Sequence, residues 1–175
     1  MAETRRTTRV PKTTKTKPVD EYGHLQPQAP ELEEAVLGAL MIEKDAYSLV
    51  SEILRPESFY EHRNQLIYAA ITDLAIQQKP IDILTVTEQL RSRGDLDEVG
   101  GPFYITQLSG KVASSAHIEY HARIIAQKFL ARELISFTSN IQTKAFDETQ
   151  DVDDLMQDCL LYTSDAADEA RSVDL

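Results

Sequence analysis

Two short stretches of the sequence contain residue types that could bind phosphate or a metal ion. The stretch 109–112 (Ser-Gly-Lys-Val) imitates the end of a phosphate-binding loop, but Ile105 stands where such a loop has its first glycine and Val112 where it has a hydroxyl. His117 and His121 lie one helical turn apart and could share a metal, yet no third ligand is evident. We therefore expect a loop between helices, and histidines that are solvated or packed.

Acidic and tyrosine residues are the other candidates for chemistry. Glu31, Glu33 and Glu34 form one acidic group, and Asp95 and Asp97 form another. Helix-terminus electrostatics and loop solubility explain both groups more simply than acid–base catalysis does. The tyrosines are spread over several elements, so they do not form a base-stacking platform. Since no nucleophile, base and orienting group can be proposed together, we predict no catalytic, cofactor-binding or metal-binding residue.

Length and composition indicate one ordinary domain with tails. The chain has 175 residues, 42% of them hydrophobic, and a single cysteine, Cys159. One cysteine provides neither a disulfide nor a thiolate zinc site. No apolar run approaches the ~18 residues that a membrane span needs, and no apolar signal core follows the amino terminus. The sequence therefore predicts a cytoplasmic protein without membrane contact.

The net charge of −11 conceals an asymmetry between a basic leader and an acidic body. Residues 1–19 contain six Lys or Arg and one acid, which leaves 12 basic and 28 acidic residues, or −16, in the remainder. Residues 1–29 also contain three prolines and no apolar period, so we predict a disordered basic leader. The acidic body repels phosphate and is not a general nucleic-acid surface.

From residue 30 onward the apolar residues recur at helical spacing, which predicts an all-α globular domain over residues 30–113. Pro30 begins the first helix, with apolar residues at 32, 35, 36, 39 and 40. Asp45 is placed to cap a short second helix, and a third runs from about residue 61 to 78. Asp82 or Thr85 opens the next, which Gly94 ends. Gly100, Gly101 and Pro102 then form a sharp structural turn before another short helix.

A helical hairpin is predicted over residues 114–158. Its first helix is capped by Ser114 or Ser115 and continues to about Phe146, which at ~30 residues makes it about 45 Å long. We expect so long a helix to project from the compact bundle and to contact a partner helix in a neighbouring subunit. Its predicted interface residues are Ile118, Ile125, Phe129, Leu134, Phe137 and Ile141. The stretch 151–156 begins a second helix that folds back on the first.

Residues 159–175 do not continue this pattern. The apolar period is lost at Cys159, and the stretch 159–169 resembles the translation of a transposase-end sequencing adapter read as coding DNA. We therefore predict a non-native tail and a hairpin whose second helix is truncated after Asp158, with weakened dimerisation of this fragment. Sequencing of the locus across the codon for Asp158 tests this hypothesis, because adapter-free reads that still encode residues 159–169 contradict it.

A series of phrases in the sequence resembles the amino-terminal domain of bacterial replicative DNA helicases of the DnaB family. They occur in the family's order and spacing over about residues 26–158, with Asn64 standing where a histidine is common. The phrases are Pro-Glu-Leu-Glu-Glu-Ala-Val-Leu-Gly-Ala-Leu-Met (30–41), Leu-Arg-Pro-Glu-Ser-Phe-Tyr (54–60), Leu-Ile-Tyr-Ala-Ala-Ile (66–71), Pro-Ile-Asp-Ile-Leu-Thr-Val (80–86), Leu-Asp-Glu-Val-Gly-Gly (96–101) and Ala-His-Ile-Glu-Tyr (116–120).

The resemblance implies a collar domain. In the family, hairpins pair between subunits, the domains form a trimer of dimers on a hexameric ring, and the collar recruits primase and influences the helicase loader. ATP and Mg²⁺ belong to a motor domain that also holds the DNA, and neither its linker nor its phosphate-binding loop occurs in these 175 residues. The alternative interpretation is a free-standing helical adaptor that contacts proteins, or nucleic acid through the basic leader.

Overall fold

Helices form the regular structure of the chain in a computed structural model, which describes residues 25–111, 117–147, 149 and 151–173. Of the leader predicted to be disordered over residues 1–29, residues 1–24 lie outside the described residues, whereas residues 25–29 are described and the carbonyls of Pro27 and Ala29 accept hydrogen bonds. Within the described ranges the elements are α1 (Pro30–Ile42), α2 (Ala46–Val50), a 3-10 turn (Pro56–Ser58), α3 (His62–Ile76), α4 (Ile83–Arg93), α5 (Gly101–Ser109), α6 (Ile118–Ala145) and α7 (Val152–Val173). The predicted all-α class, a helical bundle followed by a hairpin, is confirmed.

Helix α1 lies at the centre of the core because most of its side chains are apolar. Pro30 stands in its first turn, where a missing N–H leaves no hydrogen bond unmade. Helices α3, α5 and α6 all pack against α1. A helix that is covered on several sides has to be apolar on several sides. This explains why Leu37 and Met41, which lie off the predicted stripe, are buried together with Val36 and Leu40.

Two aromatic residues extend this core from α1 to α3. The rings of Phe59 and Tyr68 lie 4.9 Å apart between centroids, and both side chains are at most 1% exposed. The Tyr68 hydroxyl donates a hydrogen bond to the carbonyl of Leu54 at 3.1 Å, which satisfies its one buried polar atom. Burial raises the pKa of Tyr68, so its hydroxyl remains a donor at neutral pH.

The ends of α4 are determined by local chemistry. Asp82 accepts hydrogen bonds from the backbone N–H groups of Leu84 and Thr85, both at 2.9 Å, and the Thr85 hydroxyl accepts one from the N–H of Asp82 at 2.9 Å. Both candidates for the helix start therefore act together, in a reciprocal capping box. Gly94 ends the helix with φ +84°, in the left-handed region. These predictions for α4 are confirmed.

Replacing Asp82 by Ala should lower the free energy of unfolding by about 1 kcal/mol, because two N–H groups of the first turn lose their acceptor. Asp45 is a matched control: it stands at the N-cap of α2, but the prediction that its side chain caps the helix is wrong, because it makes no capping hydrogen bond. Urea denaturation of the two alanine variants measures the difference. If Asp45→Ala lowers the free energy of unfolding as much as Asp82→Ala does, the loss in Asp82→Ala does not come from the capping hydrogen bonds.

The turn before α5 requires glycine. Gly100 and Gly101 have φ values of +98° and +73°, which side chains rarely adopt. A Cβ on Gly100 would also lie 3.3 Å from the Cβ of Tyr104. Pro102 follows in the first turn of α5. This turn directs Tyr104 into the body, where the side chain is 7% exposed.

Helices α6 and α7 form the hairpin. Helix α6 has 28 residues, which corresponds to about 42 Å. It begins at Ile118, with His117 at the N-cap, and so starts later than predicted; Ser114 and Ser115 lie outside the described residues. The first two turns of α6 belong to the body's core, so the predicted domain boundary at residue 113 falls too early.

Helix α7 folds back along α6 in antiparallel order. Lys144 forms an ion pair with Asp158 at 3.2 Å, and Phe137, two turns earlier, stacks on Tyr162. The predicted interruption at Cys159 is wrong, because α7 continues to Val173. Leu, Ala and Glu are good helix formers, so the backbone can remain helical where the apolar period is lost. The origin of residues 159–175 stays a prediction.

Candidate protein-interaction site

The six predicted interface residues of α6 lie in different surroundings. Ile118 and Ile125 are 3% and 1% exposed in the core of their own body, so the prediction that they contact a neighbouring subunit is wrong. Phe129 lies partly buried at the point where α6 leaves the body. Leu134, further along, is 53% exposed. Leu134 lies nine residues after Ile125, about 180° around the helix, so α6 has one apolar face toward the body and further apolar residues on the opposite face beyond it.

Phe137 lies in the contact between the two hairpin helices, and Ile141 lies one turn further along α6. The rings of Phe137 and Tyr162 are nearly parallel, with an interplanar angle of 4° and centroids 3.7 Å apart. Ile141 is partly buried, and Leu155 of α7 is 8% exposed. Part of the apolar surface of α6 is thus covered within the chain.

Other apolar side chains of the hairpin remain uncovered in the single chain. We call these residues the distal hairpin surface. They are Leu134, Ile135, Phe146, Val152 and Met156, each at least 40% exposed. Exposed apolar side chains gathered on one projecting element are characteristic of a surface that contacts another protein.

A polar cluster inside the body was not anticipated from the sequence. Glu33 is 1% exposed and accepts hydrogen bonds from the backbone N–H of Tyr60 at 2.7 Å, from that of Glu61 at 3.4 Å and from Asn64 Nδ2 at 3.0 Å. Asn64 Oδ1 lies 3.1 Å from the Tyr104 hydroxyl. The cluster therefore connects α1, α3 and α5 through buried hydrogen bonds, which stabilise only when all partners are present.

The neighbouring acid, Glu34, ends this cluster at the edge of the body. One of its oxygens lies 3.2 Å from the Tyr104 hydroxyl and 3.6 Å from Arg63, and the other pairs with Lys111. Arg63 also lies over the Tyr104 ring, 4.3 Å from its centroid. Burial raises the pKa of Tyr104, with Arg63 acting in the opposite direction. Lys111, the lysine of the stretch 109–112 that imitates a phosphate-binding loop, is thus engaged in an ion pair within the chain.

The sequence contained only an indirect signal for this cluster. The three acids Glu31, Glu33 and Glu34 have the composition of a first helical turn, and Glu31 is indeed exposed there. The hydrogen bonds from Tyr60, Glu61 and Asn64, between 27 and 31 residues away, distinguish Glu33 from the exposed Glu31. Asn64, which stands where a histidine is common in the family that the sequence resembles, is 0% exposed and lies wholly inside the body.

The remaining candidates for chemistry stay apart. In the described part of the chain, no three His, Cys, Asp or Glu side chains are grouped so that they could hold a metal ion. His117 is exposed at the N-cap of α6, and Asp95 forms an ion pair with Arg93 at 2.9 Å. Over the same residues, no helix is both long and apolar enough to cross a membrane.

The fold and the site define an all-α domain with a projecting helical hairpin that carries exposed apolar side chains. Residues 25–127 match the family model described as the DnaB-like helicase N terminal domain. The chain belongs to this family, which confirms the resemblance found in the sequence.

Two curated relatives and two solved structures illustrate the similarity. The replicative DNA helicase DnaB of Rhodothermus marinus is 46% identical over 136 residues, and the replicative DNA helicase DnaC of Bacillus subtilis (strain 168) is 38% identical over 134. These alignments include 78% and 77% of this chain but 14% and 30% of the relatives, so the chain spans less than a third of either.

The first of the two structures is the N-terminal domain of DnaB helicase from Mycobacterium tuberculosis. It has a TM-score of 0.71 at 35% identity, and the match covers 75% of this chain and 95% of that one. The second is a DnaB-like replicative helicase whose structure was reported with its interactions with primase; it has a TM-score of 0.66 at 23% identity and covers 79% and 31% of the two chains. The second likeness concerns the fold alone.

Proposed function

We propose that this domain is the collar of a bacterial replicative DNA helicase, where it assembles the ring and recruits primase. In this proposal the hairpins pair between subunits, and the domains form a trimer of dimers on a hexameric ring in the cytoplasm. ATP, Mg²⁺ and the DNA are held by the motor domain of the whole protein. A helicase loader is a further partner of the collar.

The observation that carries the proposal is the distal hairpin surface. Its side chains are exposed in the single chain although they are apolar, and they lie on an element that projects from the body. Covering them with a second hairpin removes this area from water, at roughly 25 cal/mol for each Å². The acidic charge of the body supports a protein partner over direct contact with DNA phosphates.

Replacing Leu134 by Glu should weaken self-association by at least about tenfold, because a charge would have to be buried in the contact between hairpins. Leu134 is already 53% exposed, so the fold of the single chain should be retained. Sedimentation equilibrium across a concentration series measures the dissociation constant.

Ser136→Glu is the matched control for this variant. Ser136 is exposed on the same part of α6, and residues two apart on a helix do not face the same way. We expect a change of less than about threefold for Ser136→Glu, far below the loss of an interface anchor. A self-association constant that is the same for wild type and Leu134→Glu would contradict hairpin pairing.

Primase recruitment is tested with purified primase from the same organism. Binding to the chain, measured by isothermal titration calorimetry and retained after residues 1–19 are deleted, supports a collar that binds primase through its body. The adaptor interpretation predicts instead DNA binding that weakens with salt and is lost with the leader. Absence of primase binding by a chain that still self-associates would reject primase recruitment and leave ring assembly in place.

A further inference from the structure

Arg132 lies where α6 leaves the body. Ile118, Ala122, Ile125 and Ala126 of α6 pack into the core, and residues 133–136 are exposed. Between these two parts, Arg132 Nη1 donates a hydrogen bond to the carbonyl of Pro27 at 2.9 Å, and Nη2 donates one to the carbonyl of Ser58 at 2.8 Å. A single side chain therefore joins three segments that are distant in sequence: α6, the stretch before α1 and the 3-10 turn.

The surroundings of Arg132 are suited to a guanidinium group. Its central carbon lies 5.5 Å from the centroid of the Tyr60 ring and 5.7 Å from that of Phe129, within the range of cation–π attraction. Burial lowers the pKa of Arg132, and the nearby Glu33 carboxylate acts in the opposite direction. An arginine remains charged in such a site. Its planar fork of donors can reach two carbonyls in different directions, which the compact ammonium of lysine does less well.

We infer that Arg132 is a positioning residue that fixes the direction in which the hairpin leaves the body. The core holds only the first part of α6, so a long helix beyond it can bend or tilt at its exit unless something opposes the motion. Arg132 opposes it, because any tilt away from the 3-10 turn breaks its hydrogen bond to Ser58. It also attaches the stretch 25–29 at the same point. This inference does not rest on the proposed collar function.

The test compares Arg132→Met with Lys128→Met. Lys128 is exposed one turn earlier on α6, so both substitutions remove a cation and keep a long side chain on the same helix. Nitroxide labels at exposed Ser92 of α4 and exposed Gln142 of α6, in a Cys159→Ser background, report the distance between body and hairpin by pulsed electron paramagnetic resonance. Labelled chains are diluted with an excess of unlabelled chains, so that only distances within one chain contribute.

Two charge-assisted hydrogen bonds are lost in Arg132→Met. We therefore expect the ratio of chains with the hairpin in its wild-type direction to chains with the hairpin in other directions to fall by at least about tenfold. The distance distribution then broadens or gains a second component, while Lys128→Met leaves it unchanged. Circular dichroism verifies that helix content is retained. An Arg132→Met protein that is folded and gives the wild-type distribution overturns the inference.

Arg132→Lys serves as a second variant that keeps the charge. We expect a distribution of intermediate width, because an ammonium can satisfy one carbonyl well but not both. If Arg132→Met does not fold, Arg132→Lys alone decides: a broadened distribution supports the positioning role, and a distribution identical to wild type rejects it.

Discussion

Replacing Glu33 by Ala should lower the free energy of unfolding by roughly 3–5 kcal/mol, the largest effect that we expect among the polar residues that the structure describes. The substitution leaves the N–H groups of Tyr60 and Glu61 and the amide of Asn64 without their acceptor inside the body. Each buried donor left unpaired costs about 1–3 kcal/mol. A cavity of carboxylate size adds to this loss.

Glu31→Ala is the control, because Glu31 occupies the same turn of α1 but is exposed. It loses only its interaction with the helix dipole, which contributes about 0.3–1 kcal/mol. Urea denaturation followed by circular dichroism measures both variants. Equal losses for Glu31→Ala and Glu33→Ala would mean that the buried hydrogen bonds do not stabilise the body.

Glu33→Gln refines the same experiment, since it keeps the volume of the side chain. One carbonyl oxygen can still accept from Tyr60, but the new amide brings a second donor toward Asn64. We therefore expect the free energy of unfolding of Glu33→Gln to lie between that of the wild type and that of Glu33→Ala. A loss as small as that of Glu31→Ala would show that filling the space matters more than the acceptors.

The second large effect is expected along α6, where Ile125→Ala should cost about 2–5 kcal/mol of unfolding free energy. Ile125 is 1% exposed in the core, so its truncation removes apolar contacts and leaves a cavity. Ile135→Ala makes the same chemical change ten residues later, where the side chain is 40% exposed, and should cost less than about 1 kcal/mol.

Self-association of these two variants should follow the opposite order. Ile135 belongs to the distal hairpin surface, and Ile125 is covered within the body, so Ile135→Ala should weaken dimers more than Ile125→Ala does at temperatures where both are folded. Sedimentation equilibrium below the unfolding transition tests this. Weaker dimers for Ile125→Ala than for Ile135→Ala would restore the original prediction that Ile125 is an interface residue.

Local features were predictable because their causes lie within a few residues of each other. Pro30 at the start of α1, the pair of Asp82 and Thr85 at the start of α4 and Gly94 at its end each depend on hydrogen bonds or dihedral angles within one turn. The hairpin was predictable from the length of the helix that ends near Phe146 and from the start of a second helix at residues 151–156.

Which apolar residues of α6 are buried by the rest of the chain was not predictable in the same way. Ile118 and Ile125 lie on one face of α6 and Leu134 on the opposite face, but their positions along the sequence do not say which face the rest of the chain will cover. The packing of α1 and α2 against α6 covers the first two residues and leaves the third exposed. The end of α7 was missed for a related reason, because a backbone can stay helical without an apolar stripe.

The sequence by itself determined the order of the helices, the two ends of α4 and the family, since helical period, turn residues and capping side chains act over short distances along the chain. Only the tertiary structure decided that Glu33 and Asn64 are buried together and that Arg132 joins α6 to the carbonyls of Pro27 and Ser58. These contacts join residues between 31 and 105 positions apart. The cost of burying a charge depends on partners that only the folded chain brings together.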